Sequence, residues 1–260
     1  MNEVRLDIAD RVATVTVDRP GSRNAIGLTT MHELDEVLDE VAAGGANVLV
    51  LRGAGERAFV SGGDLKELAA IRDEHGAAQM ATRMRRLLDR IATFPVPVVA
   101  GLNGHALGGG AEVAVAADIR LAAEDVQIGF TQVTLAIMPA WGGAERLVEI
   151  VGRSKALLLV GLGKRLTATG AERIGLVDVV APRADFETAL HELAQAFGRL
   201  PPAAATGIKS VVAAARPHVH RDHEASAVAR FAELWASEDH WRATEQMSRK
   251  AGVTPAQGAR

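Results

Sequence analysis

Two glycine-rich runs constrain this chain more than any other feature: Ser61-Gly62-Gly63-Asp64 and Gly108-Gly109-Gly110, each leading into a helical pattern. Glycine permits positive φ and lets a backbone approach a ligand closely. A helix that starts at such a run leaves its first N–H groups without intrahelical acceptors. One such loop is compatible with an ordinary turn. Two of them, with their N–H groups aimed at one oxygen, would form an anion-stabilising pair, each donor contributing roughly 3 kcal/mol to a developing negative charge.

The rest of the pattern alternates strands and helices. Val4 to Ile8 and Val12 to Val17 alternate apolar and polar residues about Asp10 and read as a hairpin. RPGSRNAIG is a loop by its Pro, Gly, Ser and Asn content. A helix follows, with Thr29 or Thr30 as its expected cap, Met31, Leu34, Val37, Leu38 and Val41 as its apolar face, and Gly44-Gly45 as its stop. Val48 to Leu51 and Val96 to Gly101 read as buried strands, with a helix carrying Met80, Met84, Leu87, Leu88 and Ile91 between them. Short strands are expected at Ile119–Ala122 and Gln127–Gly129, then a helix after Pro139. From about Phe186 only helical periodicity remains. The expected organisation is an α/β core over residues 1–195 and a helical region over residues 196–260.

Composition narrows the function classes. Of 260 residues, 48% are hydrophobic, enough for a sizeable core. The net charge of −3 with scattered basic residues argues against a nucleic-acid surface. Without cysteine there is no disulfide and no thiolate metal site, and the eight histidines show no metal-ligand spacing. The polar start MNEVRLDIAD is unlike a signal peptide. The uncharged stretch from Ile91 to Ala111 is broken by Pro95, Pro97, Asn103 and glycines, so no membrane span is expected. The expectation is a cytoplasmic enzyme.

Glu112 stands out among the side chains, because a carboxylate among Ala, Val and Gly is costly to bury without a task or a partner. Such a setting raises its pKa toward acid/base use; a role in capping the helix N-terminus is the alternative. His105 fits a packing or hydrogen-bonding role, and Asp64 fits a helix cap. Met80 and Met84 fit the core or an acyl pocket. His218, His220, Arg221 and His223 fit a polar surface cluster, and Arg249-Lys250 a solvated tail or a contact with a neighbour's phosphates.

The segments DRPGSRNAIG, AFVSGGDLKEL, PVVAGLNGHALGGGAEVAVAADIRLA, PAWGGAERL and GAERIGLVDVV, in this order, resemble the crotonase superfamily, the enoyl-CoA hydratase/isomerase family. The resemblance implies an α/β spiral of ββα units with a C-terminal helical trimerisation region, and a trimer or dimer of trimers. It implies a coenzyme A thioester as substrate, with no further cofactor. The Gly63 and Gly109 N–H groups would be the oxyanion donors. Arg23, Ala25, Ser61, Gly62 and Lys66 would lie along the nucleotide and pantetheine, and Glu112 would be one of two glutamates that handle water. The second of those positions falls on Gln132, which can position water but cannot carry a proton as a carboxyl does; Glu145 and Glu149 lie only farther along. Pro139-Ala140-Trp141-Gly142-Gly143 departs from the usual PGxGG and, with a non-glutamate upstream, resembles the ethylmalonyl-CoA decarboxylase branch; the plainer reading of Trp141 is pocket wall or core packing. Enoyl-CoA hydration or isomerisation, decarboxylation of a substituted malonyl-CoA, and non-catalytic acyl-CoA binding are the functions to weigh.

Overall fold

A computed structural model describes residues 2–214 and 222–250, the side chains of 222–226 excepted. The strands are β1 (Val4–Ala9), β2 (Val12–Val17), β3 (Val48–Gly53), β4 (Ala58–Val60), β5 (Val98–Leu102), β6 (His105–Leu107), β7 (Ile119–Ala123), β8 (Gln127–Gly129), β9 (Arg165–Thr167) and β10 (Val179–Ala181). The helices are α1 (Leu28–Ala43), α2 (Leu65–Leu68), α3 (Glu74–Ala92), α4 (Gly109–Ala116), α5 (Gly143–Val151), α6 (Arg153–Leu162), α7 (Ala168–Glu172), α8 (Phe186–Gly198), α9 (Pro202–Ala214), α10 (Asp222–Ala236) and α11 (Glu238–Lys250).

Two sheets alternate along the chain. One runs β1-β2-β3-β5-β7-β10, the other β4-β6-β8-β9. From β3 to β8 consecutive strands therefore go to different sheets: β3, β5 and β7 enter the first, and β4, β6 and β8 enter the second. Each such pair and its helix form one turn of a ββα spiral, as the motif order implies. The central strands pair in parallel, Leu49 with Val98 and Val99 with Ile119. Sheets of this kind are covered on both faces, which is why VLVLRG and VVAGL read as near-continuous apolar runs. Phe59, Phe130 and Phe186 are fully buried in the core, and burying each such side chain contributes about 1.5–3 kcal/mol.

The expected cap of α1 is corrected. The helix starts at Leu28, with Gly27 as its N-cap, and neither Thr29 nor Thr30 precedes it. Thr30 is instead the third helical residue, and its hydroxyl reaches back to accept the Gly27 N–H at 3.2 Å. The cap thus lies two or three residues before the expected ones, and Glu67 Oε1, from another segment, accepts the Leu28 N–H at 2.8 Å. Two short strands, β4 and β6, stand where FVSGGD and GHALGGG read as loops, and β9 stands where no element is expected. They are three residues each, too short for alternation to show. Helix α8 lies on β2, β3 and β7 and runs through residues 195 and 196. Among the described residues no strand follows β10, and no helix is long and apolar enough to cross a membrane.

Candidate active site

The second sheet brings the glycine runs together. Strands β4 and β6 are parallel neighbours, so their C-terminal ends lie side by side, and each end opens into one of the runs. The contact is tight. A Cβ on Gly62 would lie 3.2 Å from the Gly109 nitrogen, and one on Gly110 would lie 1.7 Å from the Val60 carbonyl oxygen. Gly62 also holds φ at +108°, a region that favours glycine.

Ile26 forms a parallel bridge with Gly63. Its N–H donates to the Gly62 carbonyl at 2.8 Å, and its carbonyl accepts the Asp64 N–H at 2.9 Å. This uses the edge of the loop on either side of Gly63 and leaves the Gly63 N–H facing the other way. Gly109 is the first residue of α4, whose N–H has no intrahelical acceptor. Among the described residues neither N–H meets an acceptor. Two free backbone donors on touching loops can receive one anionic oxygen.

Glu112, on the first turn of α4, is 2% exposed. Its Oε2 accepts N–H groups from Trp141 and Gly143, both at 2.9 Å. Its Oε1 accepts from the Gln132 side-chain nitrogen, also at 2.9 Å. Burial pushes the carboxyl up to about 7, against the opposing pull of the Gly143, Trp141 and Gln132 hydrogen bonds. Glu145 adds a smaller upward push through its charge. All three donors are neutral, so the carboxyl holds or releases a proton near neutral pH. Gly143 begins α5, and a Cβ there would lie 2.4 Å from Glu112 Cγ. Only glycine admits the carboxylate to this helix start.

Gln132 opens a 3-10 turn over Gln132–Leu135. Its side-chain oxygen is buried without a hydrogen-bond partner. Helix α11 secures the turn, since His240 Nδ1 lies 2.7 Å from the Leu135 carbonyl oxygen. Trp141 is 6% exposed, and its ring lies across both glycine loops. A Cβ on Gly109 would come within 2.2 Å of it, and one on Gly63 within 3.7 Å.

The structure thus gathers Gly63, Gly109, Glu112, Gln132 and Trp141. Ala25 is buried and Arg23 exposed on the loop before Ile26, while Ser61 is half-buried and Gly62 buried on the loop that Ile26 bridges. Lys66 is exposed on α2, and neither it nor Arg23 has an ion-pair partner among the described residues. Asp64 does cap α2, accepting the Lys66 N–H at 3.1 Å, and it pairs with Arg19 at 2.9 Å. His105 Nδ1 accepts the Gln127 N–H at 3.0 Å, a structural bond. Met80 and Met84 are buried in the core cluster. Arg249 and Lys250 are exposed. His218, His220, Arg221 and the side chain of His223 lie outside the described residues. Two parts of the site escaped the sequence reading: the main-chain donors of Trp141 and Gly143, and the His240 clamp. The first had a signal, because Gly142-Gly143 is a third glycine run that leads into a helix, and a helix start favours a carboxylate.

The chain is similar to known proteins over most of its length. Residues 7–250 match the family model for enoyl-CoA hydratase/isomerase. A probable enoyl-CoA hydratase of Bacillus subtilis is 32% identical over 92% of this chain and 93% of its own length. A short-chain-enoyl-CoA hydratase of Clostridium acetobutylicum is 35% identical over 75% of this chain and 74% of its own. The crystal structure of an enoyl-CoA hydratase from Bacillus anthracis superposes with a TM-score of 0.79 at 31% identity, covering 98% of both chains.

Proposed function

The chain belongs to the enoyl-CoA hydratase/isomerase family, within the crotonase superfamily, and on that premise we propose that it hydrates or isomerises an enoyl-CoA thioester with Glu112 as its one acid/base carboxyl. The observation that carries this reading is the Glu112 environment: full burial, three neutral donors and a pKa of about 7, beside two free glycine N–H groups. A base with its pKa near the working pH is the most effective one.

In the proposed reaction the Gly63 and Gly109 N–H groups receive the thioester oxygen as it gains charge. For hydration, Gln132 positions a water and Glu112 takes one of its protons. The water oxygen bonds to the β-carbon, and Glu112 returns the proton to the α-carbon of the enolate. Both added hydrogens come from one water. For isomerisation, the same carboxyl removes a γ-proton and returns it at the α-carbon. Arg23 and Lys66 would meet the nucleotide phosphates, and Ala25, Ser61 and Gly62 would border the pantetheine. Trp141 would form the wall behind the acyl group.

The test is turnover of crotonyl-CoA, followed by loss of enoyl absorbance, by the wild type and by Glu112→Gln. Activity untouched by the substitution would sink the assignment. Release of CO₂ from ethylmalonyl-CoA without hydration would favour the decarboxylase reading that Gln132 and Trp141 suggest. Binding of butyryl-CoA without turnover of any of these substrates would favour a binder.

We also propose a cytoplasmic homotrimer or dimer of trimers. Its support is apolar surface left open on two helices: Leu157, Leu158 and Leu162 on α6, and Ile208, Val211 and Val212 on α9. Isolated exposed leucines are ordinary, but clusters mark interfaces. Sedimentation of Leu157→Lys and Val211→Lys should show smaller species than the wild type; a wild-type monomer would overturn the proposal.

A further inference from the structure

The Gln132 amide has a feature that holding Glu112 in place does not explain. Its nitrogen is used and its oxygen is not: the Nε2 group donates to Glu112 Oε1, while Oε1 of the glutamine is buried with no donor. Buried polar atoms are nearly always paired, so this oxygen is available to a ligand or to a change of state.

The two oxygens of Glu112 are not equivalent. Oε2 already accepts the Trp141 and Gly143 N–H groups, which are main-chain donors fixed by the start of α5. A proton arriving on Glu112 therefore settles on Oε1, the oxygen that faces Gln132. An O–H donor would then confront an N–H donor across 2.9 Å. Half a turn about the last side-chain torsion of Gln132 resolves the conflict, and that torsion is broad and two-fold. The glutamine oxygen then accepts the carboxyl proton, and its NH₂ takes the place the oxygen had.

We propose that the Gln132 amide turns over each time the Glu112 proton comes or goes, so that the site presents an acceptor to its ligand when Glu112 is a base and a donor when Glu112 is an acid. The inference rests on the reading of Glu112 as the acid/base. In hydration the amide oxygen holds an O–H of the water while Glu112 is free to take its proton. Once Glu112 is protonated, the amide NH₂ faces the oxygen that has just bonded to carbon. Gln132 moves no proton itself; it is a positioning residue that keeps step with the proton.

The charged groups around this pair are bound to other partners, and of them Glu145 acts on Glu112 only through its small charge effect. On α5, Glu145 is paired with Arg85 of α3 at 2.9 Å, and Arg146 is paired with Asp89 of α3. Strand β4 contributes no ionisable side chain, and β6 only His105, held by the Gln127 N–H. Asp64 is engaged with Arg19, and His240 of α11 lies behind the turn on the Leu135 carbonyl.

Neutron diffraction from deuterium-exchanged crystals of the full, ligand-free chain reads the amide directly. At about pD 9, above the Glu112 midpoint of about 7, the ND₂ group should face Glu112. At about pD 5 a deuteron should sit on Glu112 Oε1, with the glutamine oxygen facing it. An ND₂ group facing Glu112 at both values would overturn the proposal. Glu112→Gln supplies an independent arm: the Trp141 and Gly143 N–H groups hold its carbonyl, so its NH₂ must face Gln132. Gln132 should then keep its oxygen inward at both pD values, and an inward ND₂ would count against the proposal. Crotonyl-CoA turnover is a separate readout, so an amide that turns in a chain without hydratase activity would refute the functional reading and leave the coupling standing.

Discussion

Two buried polar centres lie a few residues apart in sequence and are built in opposite ways. Among the described residues Glu112 makes no ion pair; neutral amides hold its carboxylate. Arg120, on β7, is 4% exposed. It donates to Asp178 at 2.7 Å, to the Leu176 carbonyl at 2.8 Å and to the Ala117 carbonyl at 3.0 Å. Asp178 also accepts the Arg120 N–H, at 2.8 Å, which ties β7 to the start of β10. An ion pair with satisfied hydrogen bonds serves the fold. A carboxylate held by neutral donors keeps both protonation states within reach. On the proposed reading of Glu112, the difference in partners separates a structural charge from a chemical one.

The strongest way to break this contrast is to remove the charge from Glu112. Glu112→Gln should lower turnover of crotonyl-CoA by about 10²–10⁴-fold, the usual range for a lost acid/base. The same change should make the protein more stable above pH 7. The folded pKa of about 7 lies above the reference value of 4.5. Between those values the folded state binds more protons than the unfolded one, so stability is full below about pH 4.5 and falls as pH rises through 7. The loss is on the order of 3 kcal/mol. Thermal melting at pH 8 should therefore place Glu112→Gln above the wild type, and a lower melting point would show that the ionised carboxylate is stabilising after all.

Gly109→Ala sharpens the functional half. Its Cβ would come within 2.2 Å of the Trp141 ring, which is packed and 6% exposed. Relief of that overlap must shift the Gly109 N–H or the indole, and displacing one donor of the proposed oxyanion pair should cost about 10²–10³ in kcat. At Gly63 the nearest atom is Leu68 Cδ1 at 2.9 Å, the end of a flexible side chain. Gly63→Ala should accordingly lose much less activity. Equal losses in the kinetic comparison would remove Trp141 from the explanation.

Arg120→Met tests the structural half. It leaves the Leu176 and Ala117 carbonyls and Asp178 without this donor, at a cost of about 3 kcal/mol. Denaturant unfolding should show that loss while kcat changes little. A variant that folds as well as the wild type but loses activity would reverse the roles assigned to the two centres.

The fold was legible because its central strands are buried on both faces and its helices carry one-sided apolar stripes, as in VLVLRG and in the Met80 to Ile91 series. The short strands β4, β6 and β9 were not, because three residues give no period to read. The glycine runs and Glu112 were legible from residue type. The donors that hold Glu112 were hidden because they are main-chain N–H groups, and their side chains, an indole and a hydrogen, give no hint of the bond. The tie from His240 to Leu135 joins residues 105 positions apart, and no local pattern records it. The cap of α1 lies two or three residues before the expected ones, and Glu67, from a distant segment, meets the first helical N–H.

The smallest expected effect is also the most direct probe of the neutral cradle. Glu145 sits two residues past Gly143, and its charge raises the Glu112 pKa, the least of the named causes. Its own partner is Arg85, at 2.9 Å. Glu145→Gln removes a negative charge and leaves the Arg85 guanidinium with less compensation, and both changes favour ionised Glu112. The pH profile of kcat/KM for crotonyl-CoA should keep its shape while its lower limb moves to lower pH. An ion-paired carboxylate would be pinned by its partner and would barely respond. A limb that stays in place would mean that Glu112 is shielded as well as Arg120 is, and the contrast between the two centres would then lie in their partners alone.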